Sequence, residues 1–342
     1  MTHPDWLVNT PHPLKDGRTM FLSVLCALSL AGLWVAPALQ AQNYPSKPIH
    51  LIVQFGAGST IDIIARLIGP KLYENMGQPV IVENRPGAGG AIGMEAAAKS
   101  NPDGYTLTIG ATGPMVINPL LSAHSPFDPI KDFAPISQLA SGPAVIAVHP
   151  SLPVRNVKQL IALAKTHPQA LTYGSPGIGT SPHLAGVLFE IASKTQMIHV
   201  PYKGNAEAIT DLVGGHLSIV YTGVPPVSSL YKAGKIRLLA TTGIHRLSSI
   251  PELPTIAEAG LAGAQMAIWY GAIAPSATPK PVINRLNAEI VKIGALNDIK
   301  EKFEQLGIES TTTTSEAFAA LIREELDKWG RVIKTAHIKT SF

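Results

Sequence analysis

The sequence predicts an α/β protein of two lobes, each built on a doubly wound, mostly parallel sheet and joined by two crossover segments. Three observations carry that expectation. From Pro48 onward apolar strand-like segments alternate with amphipathic helical ones, the pattern of a sheet covered by helices on both faces. The alternation restarts after "DFAPISQLASGPAVIAVHP" with a second series of similar size. The elements after that series are too few for a third domain, so the chain is expected to return to the first.

In order, "IHLIVQF" reads as a strand and Asp62 to Met76 as a helix; "PVIVEN" is followed by a helix from Gly90 to Ser100, and "YTLTIG" by a loop. The second series has a helix at Val157 to Lys165, a strand at "LTYG", a helix from His183, a strand near "IHVPY" and a helix from Asn205. The strands "LSIVYTG" and "KIRLLATTG" complete it. The chain closes with "AIWYGAIAP", a helix from Pro281 to about Leu296 and an amphipathic helix from Ser315 to about Thr335. Crossovers are expected near Leu139 to Val148 and Gln265 to Ala274. This divides the chain into residues 42–142 plus 268–342 as lobe 1 and 143–267 as lobe 2, with a cleft where the carboxyl ends of strands face each other.

Residues 1–41 read as a signal peptide: Lys15 and Arg18 precede "MFLSVLCALSLAGLWVAPALQAQ", an apolar stretch ending in small residues, with cleavage after Ala38 or Ala41. An uncleaved anchor is the rival reading, because Met20 to Ala38 approaches a spanning length. Cys26, the one cysteine of the chain, lies inside this stretch. The mature protein is thereby expected to have no disulfide, no thiolate nucleophile and no Cys-ligated metal.

Composition narrows the classes further. The 342 residues are 46% hydrophobic and only 15% charged, which argues for a packed fold over disorder. The net charge of +4 is scattered, without a basic stripe interleaved with aromatics, so no nucleic-acid partner is expected.

Three strand-to-helix loops combine Gly with Ser or Thr: "GAGSTID" at 56–62, "GATGPM" at 110–115 and "GSPGIGTSPH" at 174–183. Glycine lets backbone approach a ligand, and free N–H groups at a helix start, with nearby hydroxyls, suit an anion. One such loop from each lobe would make a carboxylate clamp; ordinary helix capping uses the same residues. Ile61 and Pro182 stand where a dinucleotide fingerprint needs its last glycine, and no G-K-[ST] follows, so no nucleotide cofactor is expected. A secreted hydrolase using Ser59, Ser175 or Ser181 lacks a G-x-S-x-G elbow. The histidines are dispersed without metal-ligand spacing. Asp62 either caps its helix or orients water around a ligand, and Lys203 either attracts an anion or is a plain surface lysine. Trp269 and Tyr270 read as core packing rather than ligand stacking.

The segments "YPSKPIHLIVQFGAGSTIDIIARLI", "QPVIVENRPGAGGAIG", "NPDGYTLTIG", "DFAPIS", "YGSPGIGTSPHLAG", "HVPYKG" and "ELPTIAEAG", in this order, resemble the signature segments of the Bug family. These are solute receptors of tripartite tricarboxylate transporters. The resemblance covers Tyr44 to about Lys339. It implies a periplasmic, two-lobed Venus-flytrap receptor, monomeric, without catalytic activity or cofactor. Such a receptor binds a di- or tricarboxylate, an acidic amino acid or an aromatic acid, for membrane transporter subunits or a sensor protein. Carried over by motif, the ligand contacts fall on Phe55, Gly58, Ser59, Thr60, Asp62 and Thr112 in lobe 1. In lobe 2 they fall on Gly179, Thr180, Ser181, Tyr221 and Thr222. Asn84 and Arg85 match a hallmark read as loop-fixing. The chain departs from the family pattern at Gln54, Gly56 and Ala57, where relatives carry prolines, and at Thr222 and Gly223, where an Asp-Asn-like pair is common. Gln54 adds an amide within reach of a ligand.

Overall fold

Strand β1 (Ile49–Val53) carries a run of apolar residues because it is paired on both sides and covered on both faces. It pairs in parallel with β2 (Val80–Asn84) and β3 (Thr106–Ala111). Helix α1 (Thr60–Met76) crosses from β1 to β2, and α2 (Ala91–Ala98) from β2 to β3. A π-helical turn at Gly113–Ile117 runs into the short α3 (Asn118–Leu121). A computed structural model of the chain describes residues 44–336 and 338. The expected signal peptide lies outside the described residues, and among those described no helix is long and apolar enough to cross a membrane.

The first crossover is a single strand. β4 (Phe133–Val148) has 16 residues, about 50 Å when extended, and changes partners along its length. Phe133 to Pro143 pairs antiparallel with β9 (Ala267–Pro275), the second crossover. Ala144 to Val148 pairs antiparallel with β7 (Ile219–Gly223) on one side, and Val145 to Val148 with β8 (Arg237–Thr241) on the other. β5 (Thr172–Ser175) adds in parallel to β7, and β6 (Ile198–Pro201) to β5. The order is β2-β1-β3-β9-β4-β7-β5-β6. The outer strands of each lobe are parallel, as helix crossovers require, whereas every pairing of the two crossover strands is antiparallel.

In the second lobe α4 (Val157–Thr166), α5 (Ser181–Ser193), α6 (Asn205–Val213) and the short α7 (Ser228–Lys232) cover this sheet. Val145, Ala147, Leu212, Leu217, Val220 and Leu238 form the centre of one of its cores. After β9 the chain packs α8 (Lys280–Ala295), α9 (Asn297–Gln305) and α10 (Ser315–Thr335) on the first lobe. A two-residue strand, β10 (Glu309–Ser310), edges β4. Trp329, Phe318 and Phe303 of these helices are fully buried.

Two helices start two residues earlier than expected. α1 begins at Thr60, because Ser59 takes the cap: its Oγ accepts from Asp62 N at 3.3 Å. α5 begins at Ser181, because Thr180 Oγ1 accepts from His183 N at 3.3 Å. In both places the residue expected to begin the helix is the third helical residue, which donates to the cap.

Candidate ligand-binding site

A cavity lies where the helix starts of the two lobes meet, with about 40 Å³ open to the centre of a water molecule. The first lobe contributes Phe55, Ser59, Thr60, Ile61, Ala111, Gly113 and Pro114, with Ile268 and Tyr270 from β9. The second contributes Pro176, Thr180, Ser181, Pro182, Asn205 and Gly223. No Lys, Arg, His, Asp or Glu lines it.

Its donors come from helix ends. The starts of α1, α5 and α6 all reach the wall, through Thr60 and Ile61, Ser181, and Asn205. The first N–H groups of a helix have no intrahelical acceptor and sit at the positive end of its dipole. The Ser181 hydroxyl is buried in this wall with no hydrogen-bond partner among the described residues. Asn205 Oδ1 accepts from Thr222 Oγ1 at 3.3 Å, which leaves the amide N–H groups of Asn205 as donors. Burial pushes the Tyr270 phenol well up, with the adjacent Thr60 hydroxyl pulling the other way. Tyr270 is therefore a neutral hydroxyl in this wall.

The lobes touch around the cavity. A Cβ placed on Gly113 would lie 2.8 Å from Ser181 N, and one on Gly223 would lie 2.5 Å from Thr60 Oγ1. One on Gly89 would lie 2.2 Å from Ile178 O. At Gly113 and Gly89 the neighbouring atoms are backbone, so a side chain there would force the two lobes apart; at Gly223 the Thr60 side chain would have to move. Outside the Gly89 contact runs a larger groove of about 630 Å³, lined among others by Glu95, His124, Tyr202 and Lys203. Lys203 thus sits on the rim and not in the cavity.

Of the residues expected to contact ligand, Phe55, Ser59, Thr60, Thr180 and Ser181 line the cavity, while Gly58, Asp62, Thr112, Gly179, Tyr221 and Thr222 do not. Gly58 N donates to Asp62 Oδ2 at 2.9 Å with φ at +80°, which turns the loop. Burial raises the Asp62 pKa, but hydrogen bonds from Arg66, Gly58 and Asn84 outweigh it and hold the carboxylate below its usual range. Neither oxygen is left free: Oδ1 accepts from Asn84 Nδ2 at 2.9 Å, and both accept from Arg66 Nε at 3.0 and 3.1 Å. Asn84 Nδ2 also donates to Phe55 O at 2.9 Å, so Asn84 fixes the loop. Arg85 instead pairs with Glu83 on the surface.

Thr112 Oγ1 accepts from Trp269 N at 3.0 Å and ties β9 to the first lobe. Tyr221 is buried edge-on against Tyr173 at 5.5 Å. Gly179 packs against Asn118, and its N donates to His183 Nδ1 at 3.4 Å. Thr180 Oγ1 donates to Gly177 O at 2.7 Å, so it holds its own loop as well as the helix start. Gln54 lies behind the site: its Nε2 donates to Thr108 Oγ1 and to Met94 Sδ, and Gly93 packs closely against its Cα.

Sequence reasoning missed Asn205 and preferred core packing for Tyr270, which lines the cavity. Asn205 begins the helix after β6 and so obeys the same strand-to-helix logic as the two loops singled out. Trp269 does pack in the core, edge-on to Phe318 at 5.2 Å, but its neighbour Tyr270 points the other way along β9, into the cavity wall.

Behind the second-lobe loop, His199 Nε2 lies 2.8 Å from Ser175 Oγ, and the His183 and His199 rings stack at 4.3 Å. Burial lowers His183 to about 4 and His199 to about 3, the latter helped by His183. Ser175 is fully buried and outside the cavity wall, so this Ser-His pair does not face a substrate. Ser59 and Ser181, which do line the wall, have no imidazole hydrogen-bonded to them among the described residues. No cluster of three or more His, Cys, Asp or Glu among the described residues could hold a metal ion.

The family model "Tripartite tricarboxylate transporter family receptor" matches residues 64–338. A Pseudomonas sp. relative, "UPF0065 protein in tcbD-tcbE intergenic region", is 38% identical over 91% of this chain and 93% of its own length. The structure of the periplasmic binding protein BugD is 30% identical with a TM-score of 0.83, over 86% of this chain and 99% of that one. The structure titled "R. palustris Rpa4515 with adipate" is 34% identical with a TM-score of 0.85, over 87% of this chain and 99% of that one. The family model describes receptors, and the BugD structure is that of a periplasmic binding protein, not an enzyme. The chain belongs to the tripartite tricarboxylate transporter family of receptors, the group that includes the Bug proteins.

Proposed function

We propose that this receptor works in the periplasm, where it captures a small carboxylate between its lobes and presents it to membrane subunits of a tripartite tricarboxylate transporter. The observation that carries the reading is the Ser181 hydroxyl, buried without a partner among the described residues in a wall where three helix starts converge. An anion at that point would satisfy the hydroxyl and the free N–H groups together. Phe55, Ser59, Thr60, Thr180 and Ser181 are the wall contacts in this reading. Gly58, Asp62, Thr112, Gly179, Tyr221 and Thr222 hold those contacts from behind. The change of partners along β4 between Pro143 and Ala144 supports lobes of residues 42–142 plus 268–342 and 143–267. Contacts to both lobes at once would favour the closed state over an open one.

A thermal-shift screen over mono-, di- and tricarboxylates, acidic amino acids and aromatic acids tests the reading. At least one acid should raise the melting temperature, since a ligand at a hundred times its Kd stabilises the folded state by about 2.7 kcal/mol. Ester hydrolysis abolished by Ser59→Ala or Ser181→Ala, with no stabilising acid, would contradict it.

A further inference from the structure

We infer that Asn205 reads the far end of the bound acid, donating its side-chain amide N–H groups to a second carboxylate of the ligand, and that Thr222 positions that amide. The inference rests on the carboxylate reading above and deepens it. Asn205 is the first residue of α6, lines the cavity and is only 9% exposed. Its side chain is not spent on its own helix, whose cap position is Gly204. Instead Asn205 Oδ1 accepts from Thr222 Oγ1 on β7, and Nδ2 makes no hydrogen bond to another described residue. Two N–H donors left unpaired in a buried wall are costly, and a ligand oxygen removes that cost.

Asn205 and Ser181 stand at different parts of the wall. Gly113 packs against Ser181 N, whereas Gly204, next to Asn205, faces the loop after β1, where a Cβ on it would lie 3.9 Å from Gly56 N. An acid whose carboxylate is held at Ser181 therefore meets Asn205 with another part of its body. No Asp or Glu lines the cavity to repel a second carboxylate there, and N–H donors bond most strongly to a charged acceptor.

Thr222 acts through Asn205. It is fully buried and outside the cavity wall, and its hydroxyl occupies the amide oxygen. With that oxygen held towards β7, the N–H end is the one left to the ligand.

Calorimetric titration of the purified mature protein with matched acids tests this directly: butyrate against succinate, pentanoate against glutarate, and hexanoate against adipate. Each pair differs by a terminal methyl exchanged for a carboxylate. The wild type should bind the dicarboxylate of at least one pair more tightly. Asn205→Asp keeps the size, retains an oxygen for Thr222 and suits a helix start, but turns the donor into a charged acceptor. It should cut the preference for that dicarboxylate over its monocarboxylate partner roughly 10- to 150-fold. Thr222→Val should cut the preference less, and should have no further effect on it in an Asn205→Ala background. A preference that survives Asn205→Asp, or independent effects at the two positions, would overturn the inference while leaving the carboxylate reading intact. A wild type that binds acids but prefers no dicarboxylate would do the same. Failure of every acid in this panel and in the broad thermal screen would remove both.

Discussion

The side-chain amide of Asn84 donates to the Asp62 carboxylate at 2.9 Å, and through that bond the edge strand β2 holds the loop that forms one wall of the cavity. The same Nδ2 donates to Phe55 O at 2.9 Å. Replacing Asn84 by Ala removes both bonds and leaves a largely buried carboxylate with fewer donors. Asn84→Ala is expected to lower unfolding stability by about 1–3 kcal/mol, read from urea denaturation midpoints at neutral pH. Glu83→Ala on the same strand, which removes only surface ion pairs, should change stability far less.

Closure depends on glycine at position 113. A Cβ there would meet Ser181 N at 2.8 Å and Thr180 Cα at 3.1 Å, backbone atoms fixed by the start of α5. Gly113→Ala should fold with little change and fail to close fully. Overpacking of about 1–3 kcal/mol would fall on the closed state alone, weakening ligand affinity roughly 5- to 150-fold. Small-angle scattering with and without saturating ligand should show compaction of the wild type and reduced compaction of the variant.

Ser181→Ala separates stability from binding. Removing a buried hydroxyl that lacks a partner relieves an unfavourable burial, so the ligand-free variant should be as stable as the wild type or slightly more so. The same change removes a donor to a charged ligand, a loss of about 1.5–3 kcal/mol or roughly 10- to 150-fold in affinity. Melting curves without ligand and calorimetry with the tightest-binding acid read the two effects independently.

Acid should destabilise the fold through His183 and His199. Burial depresses them in the folded state to about 4 and about 3, below the unfolded value near 6.5. The unfolded chain therefore takes up protons first as pH falls. The stability these residues contribute is complete above about pH 6.5 and declines on acidification towards pH 4, by up to about 1.4 kcal/mol per pH unit for each ring. Burial raises Glu190, which bonds Tyr173 beside this cluster, and so works in the opposite direction. Comparing the wild type with His183→Phe/His199→Gln isolates the histidines: the double variant should lose less stability between pH 6.5 and 4.

The alternation of strands and helices was legible because burial on one or both faces writes a period into the sequence, and the family motifs sharpened it into a receptor fold. Helix starts were legible only to within one or two residues. Ser59 and Asp62 are equally good cap types, and only the bond from Asp62 N to Ser59 Oγ shows which of them caps. The antiparallel insertion of β9 between β3 and β4 was not legible, since a strand pattern carries no direction. Tyr270 went unrecognised as a wall residue for that reason. Gln54 illustrates the converse: its amide looked available to a ligand, but the bonds to Thr108 and Met94 are long-range and leave no mark in local sequence.

In the proposed function an acid is held at the converging helix starts inside the cleft. A crystal structure with the most stabilising acid of the screen tests it most directly. Carboxylate oxygens are expected within hydrogen-bond distance of Ser181 Oγ and of the Thr60 or Ile61 N–H, with the lobes closed and Asp62 still bonded to Asn84. An acid seated instead in the rim groove against Lys203, with the Ser181 hydroxyl still unpartnered, would contradict it.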